Sequence, residues 1–134
     1  MNPVVLPELR YRRLWFCAGL AIALAVLVVC LIPGGKLPDM RVSDKTEHVA
    51  AFVMLAFWFG SILVRRDLFW LALALLLFGG AIELAQGAMR MGRNADIHDL
   101  FADGVGILLG LALALTPLGR WARWLESLVG RKTA

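Results

Sequence analysis

The chain has 134 residues, with 14 Lys and Arg against 10 Asp and Glu, and the residues AVILMFWYC make up 60% of it. That length has room for one domain at about 150 residues each, and a mean hydropathy of +0.76 excludes a soluble globule, because small domains bury only a modest fraction of their surface. Two cysteines exclude a disulfide scaffold, and Cys17 and Cys30, roughly 20 Å apart along one helix, cannot bridge each other.

Lipid must therefore be the solvent, and a span needs about 20 mostly apolar residues. Taking the charges as punctuation, the first helix is expected over about 14–32, free of charge and stopped at Pro33-Gly34-Gly35. Its apolar stretch is longer than the ~7–15 residues of a signal peptide and no A-x-A site follows. A bulky Val29 before Cys30 argues against a lipidation box there. The second helix is expected over 44–64, the charge-free run from Val49 being short for the bilayer unless the turn Asp44 to His48 extends it. The third covers 68–89 with Glu83 and Gln86 inside it, and the fourth 97–118 with Asp99 and Asp103 inside it, closed by Thr116-Pro117 and Gly119. From Arg120, Trp121, Leu125 and Leu128 share a face opposite Arg123 and Arg131, the pattern of a short interfacial helix over 120–130. The expectation is an all-α fold: one integral membrane domain over residues 1–134, a four-transmembrane-helix bundle.

Cytoplasmic loops carry the excess of Lys and Arg. Nine of the 14 basic residues, Arg10, Arg12, Arg13, Arg65, Arg66, Arg120, Arg123, Arg131 and Lys132, fall on the side of the termini. Both termini are therefore expected in the cytoplasm, in the bacterial inner membrane, with loops 33–42 and 90–96 outside. Trp15, Trp70, Trp121, Trp124 and Tyr11 lie at the same basic boundary. The positive charge is read as anchoring to membrane lipids. No basic patch outside the bilayer offers nucleic acid a surface.

The acidic residues are distributed the other way. Asp44, Glu47, Glu83, Asp96, Asp99 and Asp103, with His48 and His98, lie outside or in the outer half of a span. Asp44 with Glu47, and Asp96 with Asp99, fit acidic variants of the N-capping box, and His98 fits an interfacial side chain. Glu83 and Asp103 lie too far from any helix start to be caps. A charge inside a span costs at least ~2.5–3.5 kcal/mol, so it faces a partner, a cavity or a function. Asp99, Asp103, Gly106 and Gly110 repeat on one face, and Gly106-x-x-x-Gly110 permits close helix approach. Gly79, Glu83 and Gln86 form a stripe on the third helix.

Ser43-Asp44-Lys45-x-x-His48-x-x-x-Phe52, Glu83-x-x-Gln86 followed by Arg93, and Asp99-x-x-x-Asp103-x-x-Gly106-x-x-x-Gly110 together resemble the VanZ-like family of small multi-pass bacterial membrane proteins. The resemblance covers residues 43–110 and implies that Asp44, Lys45, His48, Glu83, Gln86, Arg93, Asp99 and Asp103 form the functional cluster. The family pattern has Asn where this chain has Asp103, so the chain adds a titratable group. The family is named for a teicoplanin-resistance protein, which implies a cell-envelope role.

Three functions stay open. The first is an outward pocket that binds or modulates a lipid headgroup or lipid-linked cell-wall precursor, with Lys45, Arg90 and Arg93 meeting phosphate. The second is an enzyme on a lipid-linked substrate, in which His48, Glu83, Asp99 and Asp103 hold a divalent metal or act as general acid and base. The third is a proton-linked transporter, for which four short spans require a homo-oligomer. No HExxH, CxxC, GxSxG or phosphate loop occurs in the sequence, so no cofactor is named by it.

Overall fold

The computed structural model describes residues 4–32, 44–89 and 96–130. The architecture is all-helical: α1 spans Arg12–Leu31, α2 Asp44–Ile62, α3 Leu68–Met89, α4 Ile97–Ala114 and α5 Trp121–Gly130. Short 3-10 turns, Arg65–Asp67 and Pro117–Arg120, lead into α3 and α5. Three helices are long and apolar enough to cross a membrane: α1, α3 together with the turn before it, and α4. These three carry most of the exposed large apolar side chains, among them Leu24, Phe69, Leu77, Phe101 and Leu108. Such a surface suits lipid and not water.

α2 is the inner helix. Phe52, Leu55, Ala56 and Ile62 on it are fully buried, and Phe59 nearly so. It packs most extensively on α4, and glycines explain how closely. A Cβ added at Gly106 would meet the carbonyl oxygen of Val49 at 2.6 Å, and one at Gly110 that of Val53 at 2.5 Å. Both helices advance by four residues between these contacts, so they run parallel in register, with main chain against main chain. On the other side of α2, Phe16 stacks edge-on to Phe59, and Gly19 lies against Trp58 and Phe59.

Helix ends depart from the sequence expectation where local chemistry overrides charge punctuation. α1 begins at Arg12 and not at residue 14, because the exposed Arg12 and Arg13 carry their charge outward on long stems and fit a first turn. α2 stops at Ile62 and not at 64, because the next residues pair in extended form with the N-terminal segment. Leu63 forms an isolated antiparallel bridge with Val5, Leu6 N–H donates to Ile62 O at 2.8 Å, and Val64 N–H donates to Val4 O at 3.0 Å. α4 stops at Ala114 and not at 118, since Pro117 drives Thr116 into extended backbone. The Thr116 hydroxyl then accepts from Leu118 N–H at 3.2 Å and starts the 3-10 turn. Gly119 is required there, because any Cβ would strike the Ala114 carbonyl. The expected loop 33–42, and the expected loop 90–96 up to residue 95, lie outside the described residues.

α5 does more than lie in an interface. Its packed side is Trp121, Ala122, Leu125 and Glu126, while Leu128 and Trp124 are exposed; Arg131 lies outside the described residues. The Glu126 carboxylate accepts from Arg10 N–H at 2.7 Å, Tyr11 N–H at 2.9 Å and the Trp15 indole at 2.8 Å. It thereby places a negative charge on the N–H groups of the two residues that lead into α1, beside the positive end of that helix. Trp121 stacks on Trp15 and Trp58 with centroids 5.2 and 4.7 Å away, and the Trp58 indole donates to Trp15 O at 3.1 Å. Burial raises the Glu126 pKa, but the N–H groups of Tyr11 and Arg10 and the Trp15 indole outweigh it and hold the carboxyl below its ordinary value.

A lowered carboxyl pKa stabilises the fold in full above the ordinary glutamate value of about 4.3, and the effect is lost as pH falls through the lower folded value. Glu126→Ala is expected to cost about 1–3 kcal/mol at neutral pH, as for a charged acceptor removed from several donors. Thermal melts in detergent at pH 7 and pH 3 check this, with the difference between wild type and variant shrinking at the lower pH.

Candidate functional site

At the end of the bundle away from α5, three helices bring ionisable side chains together. His48 lies one turn into α2, Glu83 near the end of α3, and Asp99 and Asp103 in the first two turns of α4. Each is at least nine-tenths buried: His48 is 2% exposed, Glu83 6%, Asp99 4% and Asp103 0%. Their convergence follows from the α2–α4 contact, which sets His48 opposite Asp103. The His48 Nδ1 and Asp103 Oδ1 atoms are 2.8 Å apart. With the Asp103 carboxylate as acceptor, Nδ1 carries the proton of this bond, and Nε2 stands buried without a hydrogen-bond partner among the described residues. Gly79 of α3 makes room for this carboxylate, since a Cβ there would strike Asp103 Oδ2.

The start of α4 shows why Asp99 is available. Asp96 is the N-cap, and its carboxylate accepts from His98 N–H at 2.9 Å and meets His98 Nδ1 at 2.7 Å. In a capping box the residue three positions on would reach back to the N-cap N–H. Here Glu83 Oε2 takes that N–H, at 2.8 Å from Asp96 N. The expected Asp96–Asp99 box is thus not formed by side chains, because α3 supplies its reciprocal half, and Asp99 turns inward. The bonds from the His98 N–H and ring, and then from Lys45, hold the Asp96 carboxyl well below the usual carboxylate range.

Four buried side-chain atoms of this centre, His48 Nε2, Glu83 Oε1, Asp99 Oδ1 and Asp103 Oδ2, have no hydrogen-bond partner among the described residues. Glu83 Oε1 stands 3.8 Å from His48 Nε2, beyond hydrogen-bond length. One ligand atom each of His48, Glu83 and Asp99 lie within 4.8 Å of one another. A buried imidazole nitrogen and two carboxylate oxygens so arranged can bind a cation, accept protons from a bound hydroxyl or amine, or orient a water.

The remaining expected residues are placed as follows. Lys45 is exposed at the rim, 3.1 Å from Asp96 Oδ2 and 3.6 Å from Asp99 Oδ1. Gln86 is buried, and its side-chain amide donates to Cys30 O at 2.9 Å, tying α3 to the end of α1. Asp44 opens α2, but its side chain lies outside the described residues, as do Arg90 and Arg93. An apolar groove of about 350 Å³ runs between α1 and α2, lined by Ile22, Val26, Val29 and Met54, and it ends at Glu47 and His48. Sequence reasoning missed Asp96 as the junction of Lys45, His98 and Glu83. The only local signal was its cap position.

Residues 23–118, well over half the chain, match the family model described as VanZ/LLP1. No curated protein and no solved structure matches the chain.

Because Asp103 acts on the His48 ring as a hydrogen-bond acceptor, Asp103→Asn is expected to keep the fold and the ring orientation, with a stability change within about 1 kcal/mol. Gly79→Ala should displace the same carboxylate and cost about 1–3 kcal/mol. Melting temperatures in detergent and the His48 ring resonances by NMR separate the two.

Proposed function

We infer the function of this chain, which belongs to the VanZ/LLP1 family, from its buried polar centre, and propose that it binds the polar head of a lipid or lipid-linked cell-envelope precursor there. In this reading it is a multi-pass protein of the bacterial cytoplasmic membrane with both termini in the cytoplasm and the centre near the outer surface. α2 is the fourth crossing. Its 19 residues rise about 28 Å, and its charged first turn reaches the surface. The arginines beside both ends of the described chain favour the cytoplasmic side. The role in the cell is then envelope maintenance, including a glycopeptide-resistance-like phenotype.

One observation carries the reading. His48 Nε2, Glu83 Oε1 and Asp99 Oδ1 are buried without a hydrogen-bond partner among the described residues, on three side chains that converge. Buried polar atoms are nearly always satisfied, and each orphan costs about 1–3 kcal/mol. Elsewhere in the described residues such open atoms stand singly, at Asp67 and Trp121, whereas here four gather at one place. The apolar groove that ends at His48 supports a ligand with an acyl or polyprenyl tail, which reaches it from the bilayer. A second reading, an enzyme acting on such a lipid, is favoured by the Asp103–His48 bond, since a carboxylate-oriented imidazole with a free Nε2 is a suitable general base.

Two expected outcomes follow. Detergent-purified protein should bind a polyprenyl phosphate more tightly than diacylglycerol by native mass spectrometry, and His48→Ala or Glu83→Gln should weaken this by about tenfold, a loss of roughly 1.4 kcal/mol, without unfolding. Equal affinity for both lipids would sink the reading. For the topology, Lys36→Cys and Asn94→Cys should react with an impermeant thiol reagent in intact cells, whereas Asp67→Cys should not.

A further inference from the structure

The centre has a charge problem that bears on what it holds. Among the described residues it gathers three carboxylates, Glu83, Asp99 and Asp103, around one imidazole, with Lys45 at the rim. A phosphate brought to these oxygens meets like charge in a medium of low dielectric. We propose that a divalent transition-metal cation of the Zn²⁺ or Mn²⁺ type sits between His48 Nε2, Glu83 Oε1 and Asp99 Oδ1, and that this ion receives the phosphate. The proposal rests on the headgroup-binding reading for the phosphate and on geometry alone for the ion.

The geometry points to a metal in four ways. One ligand atom each of His48, Glu83 and Asp99 lie within 4.8 Å of one another, His48 Nε2 and Glu83 Oε1 being 3.8 Å apart, and tetrahedral ligands at about 2.0–2.1 Å from an ion stand about 3.3 Å apart, so side-chain shifts of about 1 Å complete the set. All three atoms lack a hydrogen-bond partner among the described residues, and the one cation near them, Lys45, stands 3.6 Å from Asp99 Oδ1, so their lone pairs remain open to an ion. Metal-bound histidines generally give their other ring nitrogen to a carboxylate, which fixes the tautomer, and Asp103 does this at 2.8 Å. The second oxygen of Glu83 is held by Asp96 N–H, which orients the first one inward. One nitrogen and two oxygens suit Zn²⁺ or Mn²⁺ better than Mg²⁺ or Ca²⁺, which take oxygen alone.

A protonated His48 bridging two carboxylates is the competing account. It requires an N–H on Nε2, yet among the described residues no acceptor lies within hydrogen-bond distance, and a buried donor left so would be costly. Lys45 is 3.6 Å from Asp99 but 3.1 Å from Asp96, so it retains a partner when an ion takes Asp99. Three protein ligands leave a fourth position for a ligand oxygen. Asp103 is then a positioning residue, acting through the ring.

The test uses full-length protein in detergent. Stripped with a chelator, dialysed against Zn²⁺ or Mn²⁺ and desalted, it should hold about one ion per chain by elemental analysis, and Co²⁺ should give a visible absorption band of N/O ligation. His48→Ala, Glu83→Gln and Asp99→Asn should each remove the ion. Asp103→Asn should retain it with an affinity lower by up to about 10–100-fold. Polyprenyl phosphate binding should fall on chelation and return with metal. An ion content near zero in the wild-type protein overturns the proposal whether or not the variants fold. If lipid binding then persists in chelator, the headgroup reading stands without the ion. Stoichiometric metal without lipid binding supports the ion and overturns the headgroup reading.

Discussion

The contact of α2 with α4 through Gly106 and Gly110 is the constraint from which the other arrangements follow. In lipid, helices associate by close packing and not by hiding apolar surface from water, so small residues at a crossing set how near two backbones come. Here the α4 glycines lie against the carbonyls of Val49 and Val53. His48 precedes Val49 by one residue and Asp103 precedes Gly106 by three. The parallel register that satisfies the backbone contact therefore also puts imidazole and carboxylate at hydrogen-bond distance. α3 is fitted to the same pair through Gly79, whose lack of a side chain accommodates Asp103, and it carries Glu83 up to the start of α4.

The polar centre stands against the energetics of its surroundings. Carboxylates inside a span are costly, and a buried ion pair seldom adds net stability over a well-packed apolar group. The bundle has ample apolar packing elsewhere, with Phe52, Leu55, Ile62 and Ile82 fully buried. Stability alone would favour leucine at Glu83 or Asp103. That cost is what the binding proposed above would offset, and the burial of the centre's open atoms is the most informative feature of the fold.

Much of this was legible beforehand because it depends on local pattern. A charge-free run marks α1, the charges Arg65 to Asp67 mark the start of α3, and distance along the helix already shows that Glu83 and Asp103 are no caps. The Gly106–Gly110 spacing announces a close crossing. What escaped depends on partners far away in sequence. Asp99 reads equally well as the second half of a capping box, and only Glu83, arriving from α3, decides otherwise. The end of α4 was misplaced by four residues because apolar character continues to Leu118 while Pro117 has already bent the backbone. Gln86 looks like a member of the cluster, yet its amide is taken by a carbonyl of α1. Glu126 gives no local hint that its partners are Arg10, Tyr11 and Trp15.

That last contact has a temporal side. The donors at Arg10 and Tyr11 precede their acceptor by 116 and 115 residues, so a ribosome has made every other helix before Glu126 exists. At the usual pace of synthesis, about 5–20 residues per second, α1 waits several seconds or longer in the translocon and bilayer with its first N–H groups facing water or lipid headgroups. The aromatic stack of Trp15, Trp58 and Trp121 likewise joins segments made early, midway and late. Closure of this end is thus a late event in assembly, and the helix that enters the membrane first is among the last to be locked in place.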